Sequence, residues 1–432
     1  MGSFLMIEMN VLERMKTGLS VWAFSLAVSL VWLGGCQPQE EVQSPDSTDV
    51  IAFESLGFES DSFELSSTKE SQLKVFETLF IGKDGYRIPG DPGPARLRAF
   101  FSDLRESYFR KAEGLDYSIV GKQYHTFTHA MDVMITTHAL LRSGGAVYFS
   151  KSEQAVLVLA ALGHDSMHTG VSNAFLANTK HPYFLEAGPD SLQEKRSVKH
   201  VLGLLDKHEM LVVEEGMGEA LQDEIIGARN LIEQSILWTD ISRHKEQMEK
   251  VTALVPQLND SLTKARGSER QDATKGATAA DLLLQMKAHS FLSEESRVLL
   301  GSFLLHVADI SNPGRDWATC ERWAGLVMNE FFSQGDLEKK LGLPVSMNCD
   351  RSKVLVPFAQ IGFGKFVIRD LYELLSQTLD SGGNYLLSNF ENNQRKWQEI
   401  EEEVKASGKP YSIRFEPPSK EGGWFGGSQD SE

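Results

Sequence analysis

Leu162-Gly163-His164-Asp165-Ser166-Met167-His168-Thr169-Gly170 sets a His-Asp pair one helical turn ahead of a second histidine. Residues four apart share a helix face, so a helix end here would turn imidazole and carboxylate groups into one pocket. Imidazole suits zinc or another borderline transition metal, and a carboxylate can bridge to a harder ion such as magnesium. Taken alone, the stretch could equally be a His-Asp pair that satisfies itself inside an apolar core.

Two further constellations favour the metal. Upstream, Tyr124-His125-Thr126-Phe127-Thr128-His129-Ala130-Met131-Asp132-Val133 again spaces two histidines by one turn. Downstream, Leu305-His306-Val307-Ala308-Asp309-Ile310-Ser311-Asn312-Pro313 drops an acid into a largely apolar run. A buried carboxylate needs a partner, and a metal ion is one. His129, His164, Asp165 and Asp309 together supply two neutral nitrogens and two carboxylates, enough to hold a divalent ion with positions left for water.

These segments, in this order, resemble the catalytic domain of the class I 3',5'-cyclic nucleotide phosphodiesterases, metal-dependent hydrolases of the HD type. That family reads Tyr-His-Asn-x-x-His-Ala-x-Asp-Val, then His-Asp-x-x-His-x-Gly-x-x-Asn, then a Thr-Asp block, then Ala-Asp-x-Ser-Asn-Pro. Here the second motif continues through Gly170 to Asn173, Thr239-Asp240 resembles the Thr-Asp block, and Glu330-Phe331-Phe332-Ser333-Gln334-Gly335-Asp336 resembles a Glu-Phe-Phe-x-Gln-Gly-Asp segment. Gln360-Ile361-Gly362-Phe363 resembles the purine-binding Gln-x-Gly-Phe. The likeness spans roughly residues 71 to 410.

The resemblance implies an all-α, compact multi-helix catalytic domain that hydrolyses the 3' phosphoester bond of cAMP, cGMP or both to the 5'-monophosphate. It implies two divalent ions, Zn2+ and Mg2+ (or Mn2+). His129, His164, Asp165 and Asp309 would be the ligands, with Asp165 bridging to the second ion. His168, Glu194 and Thr239 would order the waters around that ion, and His125 would be the general acid for the departing 3' oxygen. Gln360 would hydrogen-bond the purine edge, Phe363 would stack on the base, Val327 would close its other face, and Phe331, Asn312 and Tyr124 would line the pocket. Two other functions compete: an HD-type phosphohydrolase of another nucleotide or phosphoester, and a non-catalytic cyclic-nucleotide sensor. The first would not need Gln360 with Phe363 and Asn312, and the intact metal and acid set speaks against the second.

The chain departs from the family pattern in places. Thr126 follows the candidate acid where Asn is usual, Met167 precedes His168 where Asp is common, and Glu194 is followed by Lys195-Arg196-Ser197 rather than by paired histidines. Ser346-Met347-Asn348-Cys349-Asp350 lacks the family's Pro, and Asp370 stands where Pro is common. No metal ligand is lost.

Apolar periodicity predicts helices through 95–111, 128–143, 153–163, 222–254, 282–308, 317–334 and 357–406. Gly188-Pro189-Asp190 is a turn signal, after which Ser191 could cap a helix carrying Glu194. The polar segment 259–279 reads as a mobile loop. With 432 residues, 41% of them hydrophobic, one large core is affordable, and the net charge of -17 disfavours a nucleic-acid binder. It does not disfavour a nucleotide substrate, because bound cations supply local positive charge.

Leu19 to Leu33 is an apolar run of signal-peptide length, shorter than the roughly 20 residues a spanning helix needs. Leu33-Gly34-Gly35-Cys36 resembles a bacterial lipobox, in which Cys36 would be lipidated and hold the protein at a membrane. In a eukaryotic protein the same run would be an uncleaved anchor. The signal reads more tidily from Met15, the expected start, and no upstream regulatory domain is expected. We therefore expect a signal peptide or anchor over 1–36, an acidic Ser-rich flexible tether over 37–70, a catalytic domain over 71–410 and a disordered tail over 411–432. Cys320 and Cys349 are too few for a disulfide framework.

Overall fold

The structure is a computed structural model that describes residues 51–269, 287–408 and 411. The described residues form helices without a strand, as the all-α expectation requires. The apolar run Leu19–Leu33, Cys36 and all of the expected tail except Tyr411 lie outside them. No helix among the described residues is long and apolar enough to cross a membrane.

Four helices make the centre. Phe127–Arg142 is buried along nearly its whole length and packs against Lys151–Gly163, which is buried from Gln154 to its end. Glu219–Leu237 packs on Lys151–Gly163 and on Glu294–Asp309. Local signals set the starts: Ser150 and Glu153 form a reciprocal capping box, and the Ser293 hydroxyl accepts from Ser296 N. Gly163 lies where an added Cβ would come within 2.6 Å of a Val201 methyl, so a glycine here lets helix Leu192–Lys207 lie close against the His164 helix.

The stretch expected as a tether over 37–70 is folded onto the domain from Ile51 onward, which corrects that boundary. Phe53 meets His138 edge-on, Phe58 stacks on Tyr385, and Phe63 packs against Trp323 with ring centroids 4.5 Å apart. The fully buried Arg315 donates to Phe58 O at 2.7 Å, Ser60 O at 2.8 Å and Asp132 Oδ1 at 2.8 Å. A guanidinium has enough donors for all three, and its charge is neutralised by the one carboxylate. Lys69–Phe80, unforeseen as a helix, follows from a Thr68 cap and buries Val75, Phe76, Leu79 and Phe80.

Other expectations shift as well. The run 222–254 is two helices, Glu219–Leu237 and His244–Glu269, separated by a turn that holds Thr239 and Asp240. The second extends to Glu269, so the first half of the expected loop 259–279 is helical; the rest lies outside the described residues. The run 357–406 breaks into Val356–Phe363, a π-helical turn Gly364–Ile368, Arg369–Thr378 and Asp380–Ser407. Ser191 does precede helix Leu192–Lys207, but with φ +48 and no capping bond; its hydroxyl donates to Asp240 Oδ2 at 2.7 Å instead.

Candidate active site

Three of the central helices point an end at one spot. His129 sits in the first turn of Phe127–Arg142, His164 caps the C-terminus of Lys151–Gly163, and Asp309 closes Glu294–Asp309. Two helix C-termini carry partial negative charge, which favours a cation between them. The ligand atoms of His129, His164, Asp165 and Asp309 all lie within 4.8 Å of one another. His129 Nε2 is 2.9 Å from Asp309 Oδ1, and His164 Nε2 is 3.2 Å from both Asp165 Oδ2 and Asp309 Oδ1.

The residues fit a divalent ion. His164 Nδ1 donates to Ala161 O at 2.8 Å, which turns Nε2 toward the carboxylates. His164 Nε2 and Asp165 Oδ2 are buried with no protein hydrogen-bond partner, and buried polar atoms without one are rare. Burial opposes charge on both aspartates, but His164 outweighs it and holds Asp165 well below the carboxylate range; Asp309 is depressed likewise.

His125 stands at the lip of this cluster. Its Nδ1 bonds the Glu330 carboxylate, whose other oxygen accepts from the backbone of Gln123 at 2.9 Å and of Tyr124 at 2.8 Å. Burial alone would lower His125, but Glu330 overrides it and raises the imidazole to about 9. The same pairing holds Glu330, against the opposing effect of burial, near 2. His168 stacks on His125 with ring centroids 3.8 Å apart; burial, then the neighbouring His125, push it down to about 3.

A cavity of about 480 Å³ opens above these groups. Tyr124, Asn312, Val327, Phe331, Gln360 and Phe363 all line it, as expected for the nucleotide end. The Tyr124 hydroxyl donates to Asn312 Oδ1 at 2.8 Å, and Asn312 Nδ2 donates to Asp132 Oδ2 at 3.2 Å, so the Asn312 amide is fixed in orientation. Glu194 and Thr239 line the same cavity. Glu194 accepts from Asn173 Nδ2 at 2.9 Å and pairs with no cation among the described residues; burial first, then Asp240, raise its carboxyl to about 7. Every candidate site residue but His168 therefore reaches the one cavity or the cluster beneath it, and His168 joins them through its stack on His125.

A protein-family model described as 3'5'-cyclic nucleotide phosphodiesterase matches residues 124–389. The chain belongs to that phosphodiesterase family. It is 31% identical over 273 residues to a dual specificity calcium/calmodulin-dependent 3',5'-cyclic nucleotide phosphodiesterase 1B from Cricetulus griseus, covering 63% of this chain and 44% of the relative. It is 31% identical over 280 residues to a probable 3',5'-cyclic phosphodiesterase, pde-6, from Caenorhabditis elegans, covering 64% of this chain and 32% of that one. The chain thus spans under half the length of these curated relatives. Among solved structures, LmjPDEB1 in complex with IBMX superposes with a TM-score of 0.63 at 24% identity, over 83% of this chain and 96% of that one. The phosphodiesterase domain of a rhodopsin fusion protein from Salpingoeca rosetta gives 0.62 at 23% identity, over 81% and 96%. These two likenesses carry the fold.

Within this phosphodiesterase frame, two residues escaped the sequence reading. Glu330 was visible only as the first letter of a motif, because its partner His125 lies 205 residues away. Gln193, beside Glu194, carried no signal at all.

Proposed function

We propose that this chain hydrolyses the 3' phosphoester bond of 3',5'-cyclic nucleotides to the 5'-monophosphate. The observation that carries the proposal is one cavity that joins a buried two-imidazole, two-carboxylate cluster, a carboxylate-held histidine at its lip and a flat apolar slot with an amide at the far end. His129, His164, Asp165 and Asp309 would hold zinc, with Asp165 shared toward a second ion, magnesium or manganese, on the side of Glu194 and Thr239. When bound, such ions polarise phosphoryl oxygens and lower the pKa of the attacking water to about 7.

The chain's own groups do the rest. Glu330 takes Nδ1 of His125, which leaves Nε2 to carry a proton to the departing 3' oxygen. Phe363 and Val327 clamp the base between an aromatic face and a branched wall. Gln360 meets the purine edge, and since an amide presents a donor and an acceptor it serves adenine or guanine. Relatives named as dual specificity enzymes support activity on both cAMP and cGMP.

The test is product analysis. Full-length protein incubated with Mg2+ and either cyclic nucleotide should release the 5'-monophosphate alone, and chelator should stop it. Release of the 3'-monophosphate, or turnover only of simple phosphomonoesters, would contradict the proposal. We further propose membrane attachment through the N-terminus, supported by the Leu19–Leu33 run and the lipobox-like Cys36. Cys36→Ser in a bacterial host should move the protein from membrane to soluble fraction; unchanged partitioning would rule out lipidation there.

A further inference from the structure

Helix Leu192–Lys207 starts against the loop that carries His168, and a buried amide in its first turn bonds to that loop. Gln193 is buried, and its Oε1 accepts from Thr169 N at 2.9 Å and Thr169 Oγ1 at 2.6 Å. Its Nε2 donates to Val171 O at 2.9 Å and lies 2.9 Å from His168 Nε2. All the donors and acceptors of the amide are thereby used. A peptide N–H can only donate and a carbonyl only accept, so Thr169 and Val171 forbid the flipped amide.

On its other edge the same imidazole is met by Gly170 N at 3.1 Å from Nδ1. A neutral imidazole accepts at one nitrogen only, and the Gln193 amide, whose orientation Thr169 and Val171 fix, makes the shorter contact and holds the ring at Nε2. Its face is the one that stacks on His125 at 3.8 Å. Next to Gln193, Ser197 Oγ donates to Ser166 O at 2.8 Å and Arg196 Nη1 to Met167 O at 3.3 Å, so one helix face grips this loop along its length. Met167 itself has φ +67, a conformation that needs such support.

We propose that Gln193 is a positioning residue for the hydrolysis proposed above: its amide fixes the 168–171 loop and thereby holds the His168 ring against His125. His125 is then gripped twice, at Nδ1 by Glu330 and on its face by His168. A leucine at 193 would fill the space, leave Thr169 N–H buried without a partner and Val171 C=O with only the 3.4 Å contact from Thr169 Oγ1, and release the His168 ring. Misplacement of a reacting group by about 1 Å can cost 100-fold in rate.

The experiment compares full-length wild type, Gln193→Leu, His168→Ala and the double variant, reading kcat and KM for cAMP and cGMP and the His168 ring 15N shifts by NMR. We expect kcat of Gln193→Leu to fall about 10- to 100-fold with KM within about twofold. The His168 ring shifts should move, and the double variant should be no slower than His168→Ala within about threefold, because both changes act through one ring. Wild-type kcat in Gln193→Leu, unmoved ring shifts, or losses that multiply in the double variant would overturn the role. Should Gln193→Leu not fold, Gln193→Glu keeps the acceptor for Thr169 and removes both donors; it must show the same kcat loss. If wild type turns over neither nucleotide, the proposed function fails, while the ring shifts still decide whether Gln193 orients His168.

Discussion

Carboxylates at this cavity lie under opposite conditions. Asp165 and Asp309 lie among imidazoles at two helix C-termini and are held ionised. Glu194, in the lining of the same cavity, accepts from the Asn173 amide and pairs with no cation among the described residues; burial, with Asp240 and Asp165 as like-charged neighbours, raises its carboxyl to about 7. Behind both, Asp132 has its charge matched by the buried Arg315. A buried carboxylate needs a partner or its proton, and these four find three settings: imidazoles for Asp165 and Asp309, a fixed guanidinium for Asp132, and an amide with a raised carboxyl for Glu194. The side rich in nitrogen suits zinc, and the side that offers oxygen suits a harder ion.

The comparison can be broken where it is strongest. Asp309→Asn removes a ligand from the nitrogen-rich side and should abolish turnover together with zinc retention, read by metal analysis of the purified variant. Wild-type metal content would show that the cluster is not the tight site.

Glu330→Gln comes next. It should lower kcat about 10- to 100-fold and change the pH profile. His125, raised to about 9, keeps its proton until pH climbs through that value, so wild-type kcat should fall on the alkaline side near 9. Without the carboxylate this limb should move toward the ordinary imidazole value of about 6.5. An unmoved limb would detach Glu330 from the acid.

Arg315→Ala leaves Asp132 buried without its cation and frees the Phe58 and Ser60 carbonyls. The unfolding free energy should drop by about 3–5 kcal/mol. A loss under about 1 kcal/mol would mean that the 53–63 segment is held by Phe53, Phe58 and Phe63 alone.

The smallest effect lies on the oxygen-rich side. A carboxyl raised from 4.5 to about 7 binds its proton more tightly when folded. Its contribution is therefore full below pH 4.5, is lost as pH rises to 7, and is constant above. In metal-free protein Glu194→Gln should remove this slope and add up to about 3 kcal/mol above pH 7. A slope that persists would assign it to another group.

Much of this site was legible in the sequence because metal ligands impose spacing. His164 and His168, like His125 and His129, are four apart in sequence, a spacing that shows even though a helix boundary falls within each pair, and Asp309 stands out in an apolar helix. Elements that depend on distant partners were not legible. Phe53, Phe58 and Phe63 recur every five residues, which matches neither helix nor strand periodicity, and acidic and Ser-rich surroundings disguised them as a tether. The apolar period of 222–254 hid the Thr239-Asp240 turn, since Trp238 and Ile241 extend the pattern across it. Ser191 has the composition of a cap but is drawn away by Asp240, a contact across 49 positions. Glu330 and Gln193 act through partners that only the fold brings near.

The most direct test of the account is the turnover of cAMP and cGMP by His125→Ala with its metal content measured in the same sample. The account predicts unchanged metal and a kcat about 100- to 10,000-fold below wild type, the contribution of a general acid. Wild-type kcat in that variant, with metal retained, would contradict it.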